Sequence, residues 1–194
     1  MKNIILEKRV QYQGLNSKLL VFALPRTPKQ AARELGIKKL RVKSLLEDKL
    51  IEPLNPDANK GRLYTLTGNA CRLLDLPGYD KDTHVGWDII GWTLASPRQR
   101  YVILLIVSKD YTKRTSENIR HRSVRLNPYL SRISTKETLK ELIRENLVET
   151  EKGEDRRRYY WINNKGRSVI STIDDIFPDE EKKEKIILRR GYSS

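Results

Sequence analysis

Arg156, Arg157 and Arg158 close a short stretch, Lys152-Gly153-Glu154-Asp155-Arg156-Arg157-Arg158, set between two runs of β-forming residues. Three guanidinium groups at a hairpin tip suit phosphate oxygens or a narrow minor groove. Lys60 and Arg62 hold a comparable place beside the turn-rich run from Pro53 to Gly61. Upstream of each tip lies a second group of polar and basic residues: Lys38, Lys39, Arg41 and Lys43 in the first half, and Ser131, Arg132, Ser134, Thr135 and Lys136 in the second. Arg and Lys bond guanine, and Ser and Thr bond base or phosphate. Arg120, Arg122 and Arg125, with His121 among them, form a further cluster suited to the phosphate backbone. This is the chemistry of binding an anionic polymer, without a bond-making step.

Residue sets for other chemistry are sparse. His84 and His121 lie in different halves, and neither has a Cys or carboxylate at metal-ligand spacing. Cys71 is the single cysteine, which excludes an internal disulfide and a cysteine zinc cluster; it reads as a small buried residue. The ten glycines are scattered and form no phosphate-binding loop. Asp174, Asp175, Asp179, Glu180 and Glu181 sit near Lys182 and Lys183, and read as a solvated tail rather than a metal-nuclease centre. The sequence therefore predicts no enzyme, no cofactor and no metal. The longest apolar run, Tyr101 to Val107, is far short of the ~20 residues of a membrane helix. The N-terminal residues lack signal-peptide architecture, so the expectation is a cytoplasmic protein with no membrane partner.

The charge balance supports the same direction. The 194 residues carry 39 Lys and Arg against 25 Asp and Glu, a formal net charge of +14. Residues 1–85 hold 16 basic and 9 acidic side chains (+7), residues 86–173 hold 18 and 10 (+8), and residues 174–194 hold 5 and 6 (−1). Two halves share the excess almost equally, and nucleic acid is the commonest partner of such a chain.

The elements that must position these residues repeat one plan. Asn16 to Leu24 reads as a supporting helix; Thr27-Pro28 starts a second, with Ala31, Ala32 and Leu35 on one face and Gly36 at its end. Ile37 is expected in the core. A third helix over 38–49 places Val42, Leu45, Leu46 and Lys49 on one side at helical spacing and leaves Leu40 outward, where it could meet a thymine methyl. Leu50-Ile51-Glu52 and Arg62 to Leu66 form a hairpin, and Thr67 caps the helix Asn69 to Leu74.

In the second half Ser96-Pro97 starts the supporting helix, and Lys109 to Arg114 is a polar connection. Ser116 caps Glu117 to Ser123, and Asn127-Pro128 starts a helix over 129–146. That helix buries Thr135, Leu139, Leu142 and Ile143, with Ser131, Ser134, Glu137, Thr138, Lys140 and Glu141 more outward. Leu147-Val148-Glu149 and Tyr159 to Ile162 form the second hairpin, after which Asn163 is an acceptable helix cap. Trp87 and Trp92 give residues 76–95 the composition of a packed linker that fixes one module against the other. The similar runs at 3–9 and 185–190 are expected to pair as strands.

The runs TPKQAARELGI and LIEPLNPDANKGRLYTLT resemble the winged helix-turn-helix domain of archaeal transcriptional regulators of the MarR/ArsR type. The second-half run TLKELIRENLVE, with RRRYYWINNKG after it, resembles it more closely. Between Ile37 and Leu50 the chain is about one turn short, which is similar to MerR-like and excisionase-like modules. The resemblance implies a mainly α, α+β protein with β-hairpin wings: a first winged helix-turn-helix domain (1–75), the packed linker (76–95), a second such domain (96–173) and a charged C-terminal tail (174–194). It also implies a sequence-specific regulator of transcription bound to double-stranded DNA, with a homodimer allowed but not required. The alternative is a replication initiator or an excisionase-like recombination accessory protein.

Overall fold

A computed structural model describes residues 15–80, 85–109 and 112–179. The proposed terminal strands at 3–9 and 185–190, and His84, lie outside the described residues. The fold is mixed α+β with two small antiparallel sheets. It divides into two compact units, Met1–Thr83 and His84–Ser194.

In the first unit, α1 (Leu15–Leu20) continues as a 3₁₀ turn (Val21–Ala23), which buries Val21 and Phe22. Thr27 caps α2 (Pro28–Glu34) reciprocally: its hydroxyl accepts from the Gln30 amide at 3.2 Å, and the Gln30 side-chain oxygen accepts from the Thr27 amide at 2.9 Å. Gly36, at φ +68°, turns the chain out of this helix, a conformation glycine adopts without strain. The third helix is much shorter than the sequence predicts. α3 spans only Lys43–Glu47, and residues 37–42 are a non-helical connection.

Leu40 accounts for that shortening. A helix over 38–49 would hold Leu40 opposite Val42, Leu45 and Leu46, in water. Unwinding its first turn lets Leu40 reach the core, where it is 7% exposed. Ile37 takes the outward place instead, at 39% exposure, so it is not a core residue, and Leu40 is not available to a base. Lys49 lies beyond the end of the shortened helix and is exposed.

Beyond α3, β1 (Ile51–Pro53) pairs antiparallel with β2 (Tyr64–Leu66). Buried Asn55 organises the connecting tip: its side-chain oxygen accepts from the Leu63 amide at 2.7 Å and its amide donates to the Gly61 carbonyl at 3.3 Å. Thr67 caps α4 (Gly68–Leu73) through the Ala70 amide. Cys71 is buried in this helix, as its sequence context suggests.

In the second unit α5 (Trp87–Ala95), a π-helical turn (Pro97–Tyr101) and α6 (Val102–Ser108) precede β3 (Arg114–Thr115), α7 (Ser116–Ser123), α8 (Arg132–Arg144), β4 (Val148–Lys152), β5 (Arg158–Ile162) and α9 (Asn164–Ile176). The sheet order is β3-β5-β4. Several sequence expectations change here. Residues 87–95 of the predicted linker are a helix of this unit, packed on the π-helical turn and α9. Arg114 is not part of a polar connection: with Thr115 it adds a third strand, Arg114 opposite Tyr160 and Thr115 opposite Tyr159. Thr115, not Ser116, caps α7 by accepting from the Asn118 amide.

The start of α8 also moves. Asn127-Pro128 does not begin it; Asn127 bonds the Arg98 carbonyl and the Tyr129 amide, and Ser131 is the cap. The final helix continues past residue 173 to Ile176, with Phe177 buried behind it, so Asp174 and Asp175 belong to a helix rather than to a free tail.

The two units repeat one backbone scheme. Arg26 forms an isolated antiparallel bridge to Tyr64, as Arg114 does to Tyr160 within β3–β5, and the next residue, a threonine, caps the adjoining helix in both. After α3 and α8 respectively, Lys49 and Asn146 adopt φ of 54° and 55°. Thr67 and Asn163 then bond back to those residues' carbonyls, at 2.8 and 2.9 Å, while capping the last helix.

Candidate nucleic-acid interface

The basic tip of the second hairpin is built on Asp155. Its carboxylate accepts from the Arg157 amide at 3.0 Å and from the Tyr159 hydroxyl at 2.8 Å. The Arg157 amide, then the Tyr159 hydroxyl, hold this carboxyl below its ordinary range, and the same bond to Asp155 pushes the Tyr159 phenol up. The Gly153 amide donates to the Arg157 carbonyl at 2.8 Å and Arg156 turns at φ 61°. The backbone and Asp155 thus fix the turn, and the side chains of Arg156, Arg157 and Arg158 project exposed from it. Arg157 also approaches Asp155 at 3.7 Å, a solvent-exposed pair of little energetic weight.

α8 is thirteen residues long, about 20 Å at 1.5 Å per residue. Its cap is a reciprocal pair: the Ser131 hydroxyl accepts from the Ser134 amide and the Ser134 hydroxyl accepts from the Ser131 amide. Ser131 and Ser134 therefore spend their hydroxyls on the helix start. Thr135 is 1% exposed and donates its hydroxyl to the Ser131 carbonyl at 2.8 Å, so it cannot serve as a surface contact. Thr138 is likewise buried rather than outward, beside Leu139 and Leu142. The outward line runs Ile133, Glu137, Lys140 and Arg144, at positions i, i+4, i+7 and i+11, with Arg132 and Lys136 on its flank. Lys140 pairs with Glu137 at 2.8 Å. In sequence Lys140 and Arg144 are obscured by the neighbouring Glu137, Glu141 and Glu145, and Ile133, an apolar residue at a helix start, carries no charge signal.

Next to this face, Glu117 at the start of α7 joins two candidate cations. Arg120 lies 2.8 Å and Arg132 3.2 Å from its carboxylate. The Arg120 hydrogen bond in particular, with the Arg132 charge, lowers the Glu117 carboxyl below its usual value. Arg122 and Arg125 are exposed. Burial, and then the charge of Arg122, push the Arg114 guanidinium down. The first unit places an opposite charge at the matching position: Arg26 pairs with Glu34, eight residues on, at 3.1 Å.

In the first unit Lys38, Lys39 and Arg41 are exposed on the connection ahead of α3, not on a helix face. Lys43 opens α3 and pairs with Glu47 at 3.6 Å. Lys60 and Arg62 are exposed at the hairpin, where the Arg62 Nε donates to the Ala58 carbonyl at 3.2 Å. Trp161 stacks its ring under Lys113 and donates to Glu149 at 3.0 Å, while Trp92 lies under the Arg100 guanidinium at 3.9 Å. Both rings are engaged within the second unit. Among the described residues no group of His, Cys, Asp and Glu could hold a metal ion, and no helix is long and apolar enough to cross a membrane. Comparison with family models, curated proteins and solved structures returned no match to this chain.

Proposed function

We propose that the protein is a tandem winged helix-turn-helix DNA-binding regulator whose second unit carries the main contact. The observation that supports this most is the pairing, in that unit, of a 13-residue helix having a solvent-facing basic side with a hairpin whose tip is a rigid mount for three arginines. An α-helix fits the ~12 Å major groove, and a basic hairpin suits the adjoining phosphates or minor groove. Arg132, Lys136, Lys140 and Arg144 face the bases and their flanking phosphates; Arg120, Arg122 and Arg125 lie on the backbone. The protein acts by occupying an operator and so blocking or recruiting the transcription machinery, without catalysis.

Fluorescence anisotropy on labelled duplexes across a salt series tests the reading. With six to eight phosphates neutralised, log K is expected to fall against log salt with a slope of about −5 to −7. A slope near zero rejects it. Glu117→Gln is expected to raise duplex affinity about eightfold at ~0.1 M salt, the effect of one added phosphate contact, because Arg120 and Arg132 lose their internal anion. Unchanged affinity in that variant places neither arginine against the duplex.

The five-residue α3 favours a second reading, in which the first unit is an excisionase-like module of a replication or recombination accessory protein. Selection of bound fragments from a random pool separates the two. A promoter-type palindrome supports the regulator, and directly repeated sites support the accessory protein.

A further inference from the structure

Among the described residues, four large apolar side chains are exposed, and two of them lie four residues apart at the start of α8: Tyr129 at 85% and Ile133 at 76%. A single apolar residue on a surface means little. These two differ in their setting. Ile133 heads the outward line of the helix, diametrically away from buried Thr135, Thr138 and Leu142, so it serves no core. Tyr129 lies just ahead of the Ser131 cap and presents its ring to solvent. Arg132 and Lys136 flank them on the helix and Arg125 is exposed just upstream. Glu137 lies one turn beyond Ile133 and Glu117 3.2 Å from Arg132, so the apolar centre has a rim in which cations outnumber carboxylates.

That combination is poorly suited to a protein partner's apolar face, because covering it would also strip water from the cations without supplying anions. It complements a duplex, whose phosphates meet the rim while the groove floor carries one apolar feature, the thymine 5-methyl group. Resting on the DNA-binding reading above, we infer that Ile133, with Tyr129 beside the same helix start, reads thymine methyl groups, so that the second unit selects thymine over cytosine at the positions it covers. In the first unit Leu40 is buried, the third helix spans only five residues, and exposed Ile37 and Leu73 lie outside that helix. Base selectivity therefore belongs to the second unit, and the first contributes phosphate contacts through Lys38, Lys39, Arg41 and Lys60.

The test uses the full chain and a duplex selected from a random pool, compared with copies in which single thymines are replaced by deoxyuridine. This exchange removes one methyl and leaves the hydrogen-bonding edge intact. Wild-type protein is expected to bind about fourfold more weakly at each contacted position, the effect of one exposed methyl. Ile133→Ser is expected to bind the thymine and uracil duplexes equally, with an unaltered salt slope. Equal binding of both duplexes by wild type, with a steep salt slope retained, overturns the methyl reading and leaves DNA binding intact. Uracil sensitivity that persists in Ile133→Ser overturns the assignment to this residue. Absence of any salt-dependent duplex binding by wild type rejects the DNA reading, and this inference with it.

Discussion

Removing the three tip arginines together, as Arg156→Gly, Arg157→Ala and Arg158→Ala, is expected to weaken duplex binding by 10²–10³-fold at ~0.1 M salt and to reduce the log–log salt slope by about 2.7. Both figures come from three phosphate contacts at roughly 0.9 each. Glycine is chosen at 156 because the backbone there sits at φ 61°, where alanine would add strain unrelated to charge. The hairpin should survive, since the bonds that hold the tip run from Asp155 to the Arg157 amide and the Tyr159 hydroxyl, and from Gly153 to the Arg157 carbonyl. Far-ultraviolet circular dichroism and the unfolding midpoint check that. A variant that folds normally and keeps the wild-type slope would show that this hairpin does not touch the duplex.

The largest expected effect on stability comes from a single methyl group. A Cβ at Gly166 would lie 2.3 Å from the Leu147 carbonyl oxygen and 2.7 Å from the Ile162 Cγ1. The oxygen is backbone at the mouth of the β4–β5 hairpin and already accepts from the Asn163 amide, so it cannot swing away as a side-chain end would. Gly166→Ala is expected to destabilise the second unit by about 3 kcal/mol, at the upper end of overpacking effects. Denaturant unfolding should show a lower midpoint with an unchanged slope. Gly68→Ala is the control: nothing lies within 4 Å of a Cβ there, and it should leave the midpoint nearly unchanged. Equal midpoints for the two variants would contradict the close approach at Gly166.

The matching position in the first unit shows why glycine is needed in one place only. Thr67 bonds the Ala70 amide as Asn163 bonds the Gly166 amide, so residue 70 corresponds to residue 166. Ala70 is fully buried and carries its methyl there, whereas a methyl at Gly166 would meet the Leu147 carbonyl. Alanine thus holds in the first unit the place that Gly166 holds in the second, and Gly68 lies two residues ahead of it.

Features set by local chemistry were legible in the sequence. Thr27, Thr67 and Asn163 cap the helices they precede, Gly36 ends α2, and both hairpins fall where turn residues separate apolar runs. Features set by competition between local signals were not. Residues 38–49 fit a helix by spacing alone, and only the gain from burying Leu40 decides against its first turn. Asn127-Pro128 and Ser131 both look like helix starts; the second prevails because Ser131 and Ser134 satisfy each other's amides. β3 has two residues and no periodicity, so its pairing with β5 leaves no trace in composition. The candidate site was legible where charge alone defines it, at Arg156–Arg158. It was misread where a hydroxyl is consumed by its own helix, as at Thr135.

The short bridge from Arg26 to Tyr64, and its counterpart from Arg114 to Tyr160, bear on how each unit assembles. Each ties the residue ahead of a helix's capping threonine to the last strand of the unit, closing a loop that contains both central helices and the hairpin turn. Such closure is entropically costly until the enclosed elements are packed, so it rewards only a completed structure. Helix pair and hairpin are therefore expected to form and melt together, each unit as one cooperative block rather than as a stable helical core with a detachable ribbon.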